Sequence, residues 1–301
     1  NCAIANVVND YNGTDDASDV YAVGTTPVVW TVTDIHGNVS NCSQDITVTD
    51  DEVPSITCAA SQTQAADFGG CDAVVTVVPP VTADNCAVAS VVNDYNGGAD
   101  ASDVYNNGTT TITWTVTDIH GNESTCTQDI TITDNEVPTI TCAANQTQAA
   151  DAGDCSADVT VVLPTPADNC GIATVLNNYN GTADATDVYP VGTTTVVWTV
   201  TDNAGNTATC TQDITVTDDE APAVACAANM NVTADAGNCD AAITVVAPVV
   251  SDHCAIATVI NDFNGTEDAY DVYAVGRTTV VWTVTVITGN ESNCMQTTTH
   301  A

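Results

Sequence analysis

The chain has 301 residues and sets 39 acidic side chains against one basic one, Arg277, for a formal charge of −38 at pH 7. That balance excludes the counterion-releasing contacts on which nucleic-acid binding depends and disfavours docking on anionic lipid, so no nucleic-acid partner is expected. No run approaches the roughly 20 apolar residues of a membrane span, so no membrane insertion is expected here, and the acidic groups must be solvated, screened or neutralised by cations.

An internal period organises the rest. Trp30, Trp114, Trp198 and Trp282 are each 84 residues apart, so the chain is an array. Counting from Asp50 gives units at 50–133, 134–217 and 218–301, preceded by a partial copy at 1–49 that contains C-terminal strands only. Asn1-Cys2-Ala3 matches the interior of later copies, Asn85-Cys86-Ala87 and Asn169-Cys170-Gly171. The start therefore reads as a cut through a longer chain whose targeting segments lie elsewhere. A unit of this size has a marginal core, and covalent or metal staples are expected.

Within the unit from Asp50, the polar, proline-ended run Asp50-Asp-Glu-Val-Pro54 is a linker, repeated at Asp134 to Pro138 and Asp218 to Pro222. Ser55 to Cys58 opens a first strand, Asp67-Phe-Gly-Gly70 turns it, and Cys71 to Val78 forms a second, stopped by Pro79 and Pro80. The loop from Thr82 to Cys86 leads to a third strand at Val88 to Asn93. The Tyr95-Asn-Gly97 turn and the segment Ala101 to Tyr105 then bring the chain to the tryptophan strand. There Ile112, Trp114 and Val116 alternate with Thr113, Thr115 and Thr117, the period of a strand with one face buried. The Asp118-x-x-Gly121-Asn122 turn leads into a partner strand from Cys126. Seven or so short strands without helical periodicity indicate an all-β fold: tandem immunoglobulin-like antiparallel β-sandwiches on an 84-residue repeat.

The ordered series Asp-x-x-x-Pro-x-Ile-x-Cys, Gly-x-Cys-x-Ala, Asp-Asn-Cys, Val-Gly-Thr-Thr-x-Val-x-Trp-x-Val-Thr-Asp-x-x-Gly-Asn and a final Cys before a Thr/Val strand resembles the hyalin repeat (HYR) family along the whole chain, departing mainly near the C-terminus. The resemblance implies an immunoglobulin-like fold and an extracellular, cell-surface role, adhesive or as a spacer, in tandem arrays without catalytic residues. Arrays with four cysteines per repeat further resemble giant Bacteroidota cell-surface adhesins.

The fourteen cysteines fall into four phase classes: Cys58, Cys142, Cys226; Cys71, Cys155, Cys239; Cys2, Cys86, Cys170, Cys254; and Cys42, Cys126, Cys210, Cys294. Short Cys-x-x-Cys zinc knuckles are absent, so disulfides and an oxidising compartment are expected. A sandwich places Cys58, Cys86 and Cys126 at one pole and Cys71 at the other. Two pairings stay open. The resemblance implies first with last, Cys58 with Cys126, leaving Cys71 for the following repeat in a bond such as Cys71 with Cys170. The alternative pairs Cys58 with Cys71, Cys86 with Cys126 and Cys2 with Cys42.

The same pole collects oxygen donors: Asp50, Asp51 and Glu52 of the linker, Asp84 and Asn85 of the loop, and Asp118 and Asn122 of the hairpin. They recur as Asp134, Glu136, Asp168, Asn169, Asp202 and Asn206. Several carboxylates with amide carbonyls suit Ca2+ better than Mg2+, so an interdomain Ca2+ site that stiffens the array is expected, against the plainer role of Asp and Asn as turn caps. In the last repeat His253 replaces the Asn and Val286 the hairpin Asp, so a site there should be weakened or lost.

No nucleophile recurs beside His36 or His120, and no enzyme is expected. Asn12-Gly-Thr14, Asn107-Gly-Thr109, Asn180-Gly-Thr182 and Asn264-Gly-Thr266 satisfy the glycosylation sequon, but Asn-Gly is also a favoured turn pair and Asn96-Gly-Gly98 keeps the turn without the sequon. The expected function is a disulfide-stabilised stalk, adhesin shaft or filament segment of a long surface protein, whose partners are other repeats or other copies of the chain. The alternative is a multivalent module whose repeats themselves grip a surface glycan or protein.

Overall fold

The computed structural model describes residues 3–301, which form two compact units, Asn1–Asp134 and Asn135–Ala301. In the first unit the partial copy contributes β1 (Ile4–Asn9), β2 (Gly24–Asp34) and β3 (Val39–Val48), a single antiparallel sheet in the order β1-β2-β3. The complete repeat adds eight strands: β4 (Ser55–Thr57), β5 (Gln62–Ala65), β6 (Asp72–Val75), β7 (Val81–Ala83), β8 (Val88–Asn93), β9 (Asp103–Asn106), β10 (Gly108–Asp118) and β11 (Glu123–Thr133). One face is the four-stranded sheet β5-β11-β10-β8; the other is built from the pairs β4-β7 and β6-β9. The two repeats of the second unit reproduce this topology, and no helix occurs among the described residues.

The period-two alternation of the tryptophan strand sets the core. Ile112, Trp114 and Val116 of β10 are fully buried, and Ile130 and Ile132 of β11 join them against Ala73, Val75, Val77 and Tyr105 from the opposite sheet. Trp114 stands opposite Cys126 in the β10-β11 register, which sets the hairpin's alignment. Gly121, at φ 94°, makes the turn between them in a conformation that side chains avoid.

Two features depart from the expected strands. β5 pairs parallel to β11, Ile130 opposite Gln62, so the sandwich is not wholly antiparallel. The stretch around Thr82, expected as loop, is the strand β7 on β4. Both strands are short and lack an apolar alternation. β5 is held by side chains instead: Gln62 Nε2 donates to the Thr76 carbonyl and Gln64 Nε2 to that of Val74, while buried Gln128 donates to the Ala60 carbonyl and to Gln62 Oε1.

Tyr95 and Tyr105 recur as a stacked pair with centroids 4.4 Å apart. Tyr105 is buried and donates to the Ala101 carbonyl at 2.6 Å. Burial, reinforced by the charges of Tyr95, Asp103 and Asp100, pushes its phenol up to about 12. Tyr105 is a core residue, whereas Tyr95 is a turn residue that leaves 37% of its surface exposed.

The final repeat carries a core defect. Thr298 and His300 occupy the positions of Ile130 and Ile132, both are buried, and neither ring nitrogen of His300 has a hydrogen-bond partner. A buried unsatisfied polar group costs about 1–3 kcal/mol. His300→Val, which restores the residue found at the equivalent Val216, is expected to stabilise the third repeat by about 1–2 kcal/mol in denaturant melts. Unchanged or lowered stability would show that the imidazole is satisfied in some other way.

Candidate functional site: a disulfide frame and an acidic loop cluster

Three bonds join the first and last cysteines of a repeat: Cys58–Cys126, Cys142–Cys210 and Cys226–Cys294, each spanning 68 residues. They tie the end of a first short strand to the hairpin, directly beside the tryptophan. This excludes the alternative pairing of Cys58 with Cys71 and Cys86 with Cys126. A fourth bond, Cys155–Cys254, spans 99 residues and joins the second complete repeat to the third, the interrepeat class of bond that first-with-last pairing requires. Cys71 and Cys170 are likewise in disulfides.

Cys86 and Cys239, expected in bonds, are free, as is Cys42. None of the three has a cysteine of this sequence 68 or 99 residues away, the two separations that the observed bonds use. The proposed pair of Cys2 with Cys42 involves a residue outside the described ones.

The loop cluster forms at the first complete repeat. Carboxylate oxygens of Asp50, Asp84 and Asp118 all lie within 4.8 Å of one another. Each acid is held by its own turn. Asp84 Oδ2 accepts from the Cys86 and Ala87 amides at 2.8 and 2.9 Å, leaving its buried Oδ1 without a partner. Asp118, 2% exposed, accepts from the His120 and Asn122 amides and from Asn122 Nδ2. Burial works against its charged form, but these hydrogen bonds outweigh burial and hold its carboxyl below the usual range. Asp50 accepts from His120 Nδ1 at 3.1 Å, and its backbone carbonyl takes a second bond from Asn122 Nδ2. The Cys86 thiol is pushed up, first by its bond to Asp50 and then by burial.

Other expected ligands stand apart. Asp51 and Glu52 are exposed and outside the cluster, because the linker turns outward before buried Pro54, whereas Asn85, also exposed, hydrogen-bonds the Asp50 carboxylate through its side chain. Asn122 donates its amide N–H groups to the acids and is a cap. In the second complete repeat Asp168 accepts from the Cys170 and Gly171 amides, and buried Asp202 accepts from Asn206, which also donates to the Glu136 carbonyl. Asp134 is buried, and Asn169 and Glu136 are partly so. In the third repeat Asp218 and Asp252 approach Cys254, already in a disulfide, and buried Val286 stands where the other repeats have the hairpin carboxylate.

Sequence reading missed two contributors, the His120 bond to Asp50 and the Gln62/Gln128 clamp. The recurrence of Gln146 and Gln212 one period later was the available signal for the second. The turn asparagines are also accounted for. Asn12 and Asn180 Nδ2, the atoms a glycan would occupy, donate to the Asp16 and Asp184 carbonyls at 3.0 Å.

The HYR domain model matches residues 49–132 and 133–216, in phase with the repeat to within one residue. Hyalin of Strongylocentrotus purpuratus is 32% identical over 68% of this chain and 17% of its own length; hyalin of Lytechinus variegatus is 29% identical over 89% of this chain and 51% of its own. The chain thus spans about half or less of these curated relatives. Among solved structures, mouse cadherin-23 EC22-24 is similar with a TM-score of 0.34 at 11% identity, covering 83% of this chain and 99% of that one, a score that carries no argument beyond the topology already described. By its family match and the disulfide-framed β-sandwich repeat, the chain belongs to the HYR domain family.

Proposed function

We propose that this chain is a load-bearing, non-catalytic segment of an extracellular surface protein, a stalk or adhesin shaft whose repeats are fastened to one another. The observation that carries this reading is the bond Cys155–Cys254. A binding module needs only that each repeat fold; a covalent strap between repeats restrains their mutual tilt. It closes beside the linker, where His253 Nδ1 meets Glu220 Oε2 at 3.0 Å. With labels on the second and third repeats, the oxidised protein is expected to give a narrow distance distribution that broadens in the Cys155→Ser/Cys254→Ser pair. An equally narrow distribution in the variant would remove the strap's role. Specific capture of a glycan by single repeats would favour the multivalent binding reading instead.

A divalent cation fits the same reading. Three carboxylates gathered within 4.8 Å, with the only Lys or Arg of the chain at Arg277, repel one another, and Ca2+ would take their free oxygens. Calcium at a hundredfold excess over its Kd is expected to stabilise the 50–133 repeat by about 2–3 kcal/mol, with no such effect in Asp84→Asn or on the third repeat. Identical melting in calcium and chelator would sink this part while leaving the strap untouched.

A further inference from the structure

Arg277 is the one Lys or Arg among the 301 residues, and it stands where the other copies carry Thr25, Thr109 and Thr193. In each of those copies the threonine hydroxyl bonds that of the threonine opposite it, Thr47, Thr131 and Thr215, at 3.2, 3.0 and 3.0 Å. Arg277 faces Thr299 in the same register without such a bond, and among the described residues it pairs with no carboxylate. It is exposed, one residue into the tryptophan strand of the third repeat, Gly276–Val286.

The strand is paired on one side only at this point. The neighbouring strand Ile256–Asn261 meets it from Trp282 to Val286 and stops short of Arg277. On the other side, Thr298 and His300 stand opposite Thr278 and Gly276. These are the buried polar side chains that take the places of Ile214 and Val216 in the second repeat, so the pairing beside Arg277 lacks the apolar anchor its counterpart has. An exposed arginine on a half-paired, weakly anchored strand is what a serine peptidase of trypsin-like specificity requires. Such an enzyme takes the guanidinium into a pocket with a carboxylate at its base and grips the flanking residues as an extended strand.

We propose that Arg277–Thr278 is the cleavage point for an extracellular serine endopeptidase of trypsin-like specificity, and that the cut does not part the chain. Water adds across the peptide bond, its hydroxyl to the Arg277 carbonyl carbon and its hydrogen to the Thr278 nitrogen. The cut lies ahead of buried Val280, Trp282 and Val284, so the core residues of the strand stay together on one piece. It also lies inside the loop closed by Cys226–Cys294, which keeps the piece from Thr278 onward bonded to the rest. Release needs a second event, transfer of two electrons and two protons from a dithiol reductant to that disulfide. The third repeat therefore parts only where peptidase and reductant act together.

The test treats the full oxidised chain with trypsin and reads intact mass before and after dithiothreitol. The expected result is addition of one water with no loss of mass, then separation on reduction into residues 1–277 and 278–301. Arg277→Thr, which restores the residue of the other copies, should abolish cutting. Combining it with Thr193→Arg moves the arginine to the equivalent exposed place beside the apolar pair of the second repeat and leaves both cores unchanged. That double variant should be cut at least about fivefold more slowly. Cleavage only after reductant or denaturant, loss of the 278–301 piece from the oxidised protein, or equally fast cutting at position 193 would each overturn the proposal. None of these outcomes depends on whether the array bears load.

Discussion

Pulled across its second and third complete repeats, the oxidised array is expected to lengthen by only a small fraction of what the residue count of those repeats would allow. The bonds Cys142–Cys210 and Cys226–Cys294 each short-circuit 68 of the 84 residues in a repeat, leaving the 16 from Cys210 to Cys226 as the free path between them. At full extension those 16 residues reach roughly 55 Å, against roughly 290 Å for a whole reduced repeat. Force then passes through two disulfides and a proline-bearing linker, and unfolding a sandwich adds almost nothing. The interrepeat bond Cys155–Cys254 lies alongside this path and restrains bending more than stretching. Single-molecule extension with and without reductant measures both cases. Increments near the full repeat length in the oxidised protein would show that the first-to-last bonds do not carry the load.

The second large effect concerns the tryptophan. Trp114→Ala is expected to cost the first complete repeat about 3–5 kcal/mol, because it empties the centre of a closed core. A domain of this size has roughly 4–13 kcal/mol to lose, so the variant should be close to unfolding. Trp30→Ala should cost much less, since the partial copy leaves that ring partly in water. Denaturant melts of the two variants compare them directly, and equal losses would mean that the 1–49 sheet is already covered in solution.

Small corrections to the strand assignment have a common physical origin. β5 reads Gln-Thr-Gln-Ala and β7 Val-Thr-Ala, too short and too polar to show a buried face. Their positions come from long-range partners, Gln62 on Gln128 and Ser55 Oγ on the Ala83 carbonyl, which no local pattern announces. The acidic loop behaves similarly. Turn composition located Asp84 and Asp118, but which oxygen each turn would consume, and that Asp51 and Glu52 would face solvent, followed only from the path of the backbone.

The sequence by itself determined the repeat length, the tryptophan strand with its alternating faces, the hairpin turn and the family, because these rest on local periodicity and on recurrence at a constant spacing of 84 residues. Only the tertiary structure decided the cysteine partners, the parallel strand and the meeting of Asp50, Asp84 and Asp118. Each of these joins residues tens of positions apart, and four cysteines in a repeat are compatible with several pairings until the sandwich brings one cysteine against another.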